Sequence, residues 1–133
     1  MTLSRWKDYE VPDFEGIVHS SGESFAILDG NLSPIEHRKH EDFLSVGIMA
    51  SRELYPSRYR VRCGEAAEHG SIGVVVLESI ATGEAVWSFV SNTSNPFDQV
   101  EVKGGYVLVL STSGAVFRFR SGEGLEDVTL SIP

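Results

Sequence analysis

The sequence predicts an all-β or β-rich domain, an antiparallel meander or sandwich of short hairpins with little helix. Three observations carry that reading. Short apolar runs recur along the chain, and clusters of Gly, Pro, Asn, Asp and Ser cut them at intervals of roughly ten residues. Within several runs, apolar and polar residues alternate with the period of two that strand side chains follow. In RYRVRC, for example, Tyr59, Val61 and Cys63 fall on one face and Arg58, Arg60 and Arg62 on the other. No stretch sustains a helical period for more than a turn or two.

Taken in order, the N-terminal segment to Asp13 is a polar lead-in, where Pro12 disfavours a long helix and Trp6 is expected to cap an open edge of the core. GIVHS (16–20) and SFAILDG (24–30) flank a Ser-Gly turn and form a hairpin. Pro34 demotes the following LSPI to an edge strand or extended segment, and HRKHED (37–42) reads as a solvated loop or a short helical turn. FLSVGIMAS (43–51) and RYRVRC (58–63) are strands joined by RELYPS, and GEAAEHGS (64–71) reads as a polar loop. IGVVVLES is a continuous β-branched run, the pattern of a strand covered on both faces. EAVWSFVS, VEVKGG, YVLVLS and AVFRFR follow, separated by Thr82-Gly83, the link SNTSNPFDQ, Gly104-Gly105 and Ser113-Gly114. VTLSI (128–132) is a last candidate strand, and the total comes to about nine or ten. Residues 71–120 are expected to form the central meander of a single domain spanning 1–133.

Composition narrows the function classes. A 133-residue chain can bury roughly two thirds of its unfolded surface and folds without disulfides or metal. The net charge of -8 favours a basic protein partner and argues against duplex nucleic acid, which is bound through Lys and Arg on phosphates. The single Cys63 leaves no internal disulfide and no cysteine-based zinc site. The N-terminus has no apolar core of a signal peptide, and apolar runs of about five residues are too short to span a membrane, so a cytoplasmic protein is expected.

VVVLESIATGEAVWSF resembles the blade repeat of quinoprotein-type β-propellers, in which a strand ends in Leu-Asp, a Thr-Gly turn follows and a Trp sits on the next strand. Leu77-Glu78, Thr82-Gly83 and Trp87 hold those places here. VKGGYVLVLSTSGAVFRF resembles the next half-blade, and Leu28-Asp29 echoes Leu77-Glu78 about 49 positions earlier, near the period of propeller repeats. The resemblance implies blade-like hairpins. No cofactor site carries over, because such sites depend on a closed ring.

Few residues point to chemistry. His37 and His40 have a spacing that suits two metal ligands on a helix, but Arg38 and Lys39 lie between them and a solvated loop is expected. Cys63 lies on the apolar face of its strand, which makes it a core thiol rather than a nucleophile. No nucleophile elbow, dinucleotide fingerprint or phosphate loop is present. No catalytic residue, cofactor or metal is assigned.

Two surface features remain. The ladders Arg58/Arg60/Arg62 and Arg118/Arg120 are solvated faces paired with acids such as Glu84 or Glu101, or basic patches able to meet an anionic partner. In the link, Asn92, Asn95 and Phe97 either contact a partner or, for Asn95-Pro96 and Phe97, set a turn and plug the core edge. The expected function is a non-enzymatic protein-binding protein, in concrete form an immunity or antitoxin-type inhibitor acting by surface occlusion. The alternatives are a small-ligand barrel or enzyme with Trp87, Phe89, Tyr106 and Phe117 around a pocket, and a propeller-like fragment that self-associates through sheet edges.

Overall fold

A computed structural model describes residues 3–28, 31–35, 41–54 and 58–120. A short 3-10 helix, Ser4–Asp8, precedes eleven strands: β1 (Glu10–Pro12), β2 (Gly16–His19), β3 (Ser24–Leu28), β4 (Asn31–Ile35), β5 (Phe43–Leu54), β6 (Tyr59–Ala66), β7 (His69–Ser79), β8 (Ala85–Ser91), β9 (Phe97–Lys103), β10 (Tyr106–Ser111) and β11 (Val116–Arg120). Eight form one antiparallel sheet in the order β1-β5-β6-β7-β8-β2-β3-β4, and β9, β10 and β11 form a second sheet in the order β11-β10-β9. The fold is all-β and antiparallel, as the alternation and turn spacing require.

β7 lies in the middle of the large sheet, between β6 and β8. Its run Val74–Leu77 is fully buried on both faces, so consecutive β-branched residues suit it better than alternation. On one face Val75 and Leu77 join Ile17, Val61, Cys63, Trp87 and Phe89 against the inner face of the small sheet. Phe97, Val100, Val107, Val109, Phe117 and Phe119 come from that side. The rings interlock: Phe89 meets Phe119 edge-on at 5.0 Å, Phe97 meets Phe117 at 5.3 Å, and Trp87 stacks on Phe119 at 5.4 Å. Offset and edge-on pairs of this kind add about 0.5–1.5 kcal/mol each beyond the area they bury.

On the other face Val74 and Val76 join Val18, Ala85 and Val90 beneath a cover made by the N-terminal segment, with Leu3, Trp6 and Val11. Trp6 is therefore no cap on an open edge. It is 3% exposed and lies over the sheet face, because β1 pairs with β5 at the sheet margin and the helix before it folds back across β7.

Residues 71–120 do not form one continuous meander. β7 and β8 pair, but the other edge of β8 is taken by β2, with Ile17 opposite Phe89 and His19 opposite Trp87. The chain then crosses through residues 92–96 and starts the second sheet. The segment 64–71 is also not a loop: β6 continues to Ala66 and β7 begins at His69, leaving only Ala67 and Glu68 as the turn. Gly64 permits this, since a Cβ there would sit 1.9 Å from the Gly47 carbonyl oxygen of β5. Likewise β5 runs on through Leu54, into the segment expected as a connection.

The turn glycines behave as expected. Gly83 (φ 74°) and Gly114 (φ 89°) adopt left-handed conformations, and Gly104 (φ 52°) and Gly105 (φ 82°) form the two-residue turn that pairs Lys103 with Tyr106. Pro34 does lie on the edge strand β4. The hairpins closed by these turns lie in sheets of eight and three strands. The echo at Leu28-Asp29, the His37/His40 pair and the strand expected at 128–132 fall wholly or partly outside the described residues.

Candidate functional site

The small sheet has one face in the core and one facing outward. Val100, Val107, Val109, Phe117 and Phe119 point inward. The strand period then places Gln99, Glu101, Lys103, Tyr106, Leu108, Leu110, Val116, Arg118 and Arg120 on the opposite face. The register sets them in three rows across β9, β10 and β11: Lys103–Tyr106–Arg120, Glu101–Leu108–Arg118 and Gln99–Leu110–Val116. Tyr106, Leu108, Leu110 and Val116 are half-buried and belong to neither core cluster. Lys103, Arg118 and Arg120 are exposed.

The arginines on this face are ordered by an aromatic ring. The Arg118 guanidinium lies 4.7 Å from the Tyr106 ring centroid and that of Arg120 lies 6.0 Å away. Such stacking holds the planar guanidinium by its face and leaves its N–H edge for a partner. Arg118 and Arg120 were legible in the alternation of AVFRFR. Tyr106 and Lys103 are additions, and the signal for them was present: a two-residue Gly-Gly turn pairs its two flanking residues.

The other arginine ladder serves a different purpose. Arg60 and Arg62 do not project into open solvent. They converge on Glu78 of β7, whose carboxylate is 3% exposed. Glu78 Oε1 accepts from Arg60 Nε at 2.8 Å and from Arg62 Nη1 at 3.5 Å, and Oε2 accepts from Trp6 Nε1 at 2.6 Å. Arg62 Nε also donates to Ser51 Oγ at 3.3 Å. Glu78 thus ties β6, β7 and the N-terminal helix together, and the acidic partner of the ladder is Glu78 rather than Glu84 or Glu101. Arg58 is exposed just before β6, and its carbonyl accepts from the Ile80 N–H at 3.1 Å.

The link between the sheets is fastened to its surroundings. The Asn92 N–H donates to Glu15 Oε2 at 2.8 Å, the Asn95 N–H to the Ser71 carbonyl at 3.0 Å, and Ser113 Oγ to the Ser94 carbonyl at 3.1 Å. Asn95 takes a left-handed conformation (φ 68°), which Asn tolerates better than most residues. Phe97 is 0% exposed inside the aromatic cluster and so cannot touch a partner, because its position at the start of β9 turns the side chain into the space between the sheets. Only Asn92 of the three is exposed.

Trp87, Phe89 and Phe117 are packed solid against each other and against Phe119, and Tyr106 is on the opposite face of its sheet, so these four line no common pocket. Cys63 is 1% exposed, and burial first, then the nearby Asp98 carboxylate, push its thiol up to about 12. It stays protonated at neutral pH and is no thiolate nucleophile. Among the described residues, no cluster of three or more His, Cys, Asp or Glu is arranged to hold a metal ion, and no helix is long and apolar enough to cross a membrane. A cleft of about 350 Å³ lies between the N-terminal helix and the β7–β8 turn, with Trp6, Lys7, Thr82 and Glu84 in its wall. No family model matches the sequence, and no curated protein matches it significantly.

Proposed function

We propose that this chain is a non-enzymatic protein-binding protein that docks its partner on the outer face of β9, β10 and β11. The concrete form is an inhibitor of the immunity or antitoxin type that works by covering a partner's surface. One observation supports the reading: Tyr106 holds Arg118 and Arg120 beside the half-buried apolar residues Leu108 and Leu110, which belong to neither core cluster. Tyr and Arg are the residues most enriched among those that dominate interface energies. Arginines already stacked on a ring lose less rotamer freedom on binding, which leaves more of the contact energy as affinity. The rigid sandwich behind the face supplies a preformed surface, and its inner side is closed by the phenylalanine cluster.

The test is capture from extract of the native host on immobilised wild-type protein and on a Tyr106→Ala, Arg118→Ala double variant. The expected result is a discrete protein retained by the wild type and lost by the variant, with both giving the same β-sheet circular dichroism. Equal retention by both, or retention by neither, would refute the assignment of this face.

A further inference from the structure

Charge is unevenly divided over this molecule. Among the described strand residues, the outer face of β9–β11 carries Lys103, Arg118 and Arg120 against Glu101. These four side chains give the face a local charge of +2, whereas the whole chain carries -8. Arg118 and Arg120 stand on β11 and Lys103 on β9, so cations border both sides of the column Tyr106–Leu108–Leu110 on β10.

We propose that the segment docking on this face is an extended acidic stretch of another protein that presents carboxylates and apolar side chains together on one of its faces. This rests on the protein-binding reading above and specifies its chemistry. A segment with both kinds of side chain on one face matches this surface: apolar side chains fall on Leu108 and Leu110, and flanking carboxylates reach the guanidinium edges of Arg118 and Arg120 and the Lys103 ammonium. Arginine and carboxylate pair through two parallel hydrogen bonds, the strongest polar contact such a surface can offer. The negative charge of the remaining surface does not forbid this, because exposed charges beyond about 8 Å are largely screened at physiological salt. That same surface does disfavour a long polyanion, which would have to run past it. The overall charge of -8 and the charge of the docking face therefore select different things.

The test is an NMR titration of the full chain with two soluble synthetic peptides, one repeating Asp-Asp-Leu-Leu and one repeating Lys-Lys-Leu-Leu so that each extended face carries both residue types, and with a single-stranded DNA oligonucleotide. The aspartate peptide is expected to shift the amides of β10 and β11 saturably and more weakly as salt is raised. An R118E/R120E double variant, both side chains being exposed, should keep the wild-type spectrum elsewhere and bind at least about tenfold more weakly. Preferred binding of the lysine peptide or the oligonucleotide at these amides would overturn the proposal, as would aspartate-peptide shifts confined to other strands or absent altogether. Shifts of the same amides with protein concentration alone would identify a second copy as the occupant and also overturn it. If the aspartate peptide fails while host capture still depends on Tyr106 and Arg118, the docking face stands and its acidic selectivity falls. If both fail, both are withdrawn.

Discussion

Replacing Glu78 by alanine should destabilise the fold more than any other single loss of charge at a described position. The carboxylate is 3% exposed and accepts from three donors on two elements: Trp6 Nε1 at 2.6 Å, Arg60 Nη2 at 2.6 Å and Arg62 Nη1 at 3.5 Å. Removing one partner of a buried ion pair typically costs about 3–5 kcal/mol, because the charge left behind is no longer compensated. Here the Arg60 and Arg62 side chains keep 32% and 22% exposure, so both recover part of their hydration, which moves the estimate to the low end. The Trp6 indole N–H has no such escape at 3% exposure, and an unsatisfied buried donor adds about 1–3 kcal/mol. A total of about 4–6 kcal/mol follows, against about 0.5 kcal/mol or less for Glu84→Ala on the exposed turn of the same hairpin. The assay is urea denaturation followed by tryptophan fluorescence, with Trp6→Phe completing a double-mutant cycle. Coupling between Glu78 and Trp6 of about 1 kcal/mol is expected for residues sharing one hydrogen bond. The Val46 amide, which donates to the Tyr9 carbonyl at 2.8 Å, should exchange faster in the Glu78→Ala protein as the N-terminal cover loosens. A loss under about 1 kcal/mol, or an unchanged Val46 amide, would refute the role given to Glu78.

Two further predictions follow from the core. Cys63 should resist alkylation in the folded state at pH 8–9 and react at the rate of a free thiol only after unfolding. The thiol is raised from 9.0 to about 12 in the fold, so its contribution to stability is complete below pH 9 and is lost as pH rises from 9 towards 12. Alkaline titration of wild type against Cys63→Ala measures the difference, and equal pH profiles would contradict it. Gly64→Ala should cost about 2–3 kcal/mol, since its Cβ would meet the Gly47 carbonyl at 1.9 Å and backbone cannot move aside as a side chain can. Gly70→Ala, with nothing within 4 Å, should stay within about 0.5 kcal/mol in the same denaturation experiment.

Much of the local architecture was legible because it depends on near neighbours. A two-residue Gly-Gly turn fixes the pairing of Lys103 with Tyr106, and the alternation in AVFRFR separates Phe117 and Phe119 from Arg118 and Arg120. The continuous run Val74–Leu77 announced a strand buried on both sides. Half of the candidate site followed from the same signals: Arg118 and Arg120 were on the right face, while Tyr106 was placed among pocket residues because YVLVLS is apolar at nearly every position and hides its own period.

What the sequence by itself determined is the set of strands, the turns and the facing of side chains within each strand, all consequences of backbone stereochemistry and a period of two. Only the tertiary structure decided which strands became neighbours. β8 turns from β9 to β2, a pairing across 70 residues that no local pattern encodes, and that choice divides the meander into two sheets. The same long-range packing brings Trp6 over Glu78, turns Arg60 and Arg62 from surface charges into structural ones, and leaves Arg118 and Arg120 facing outward beside Tyr106. Two arginine ladders with the same sequence pattern thus came to lie in different surroundings, because the cover that lies on one face of a sheet comes from elsewhere in the chain.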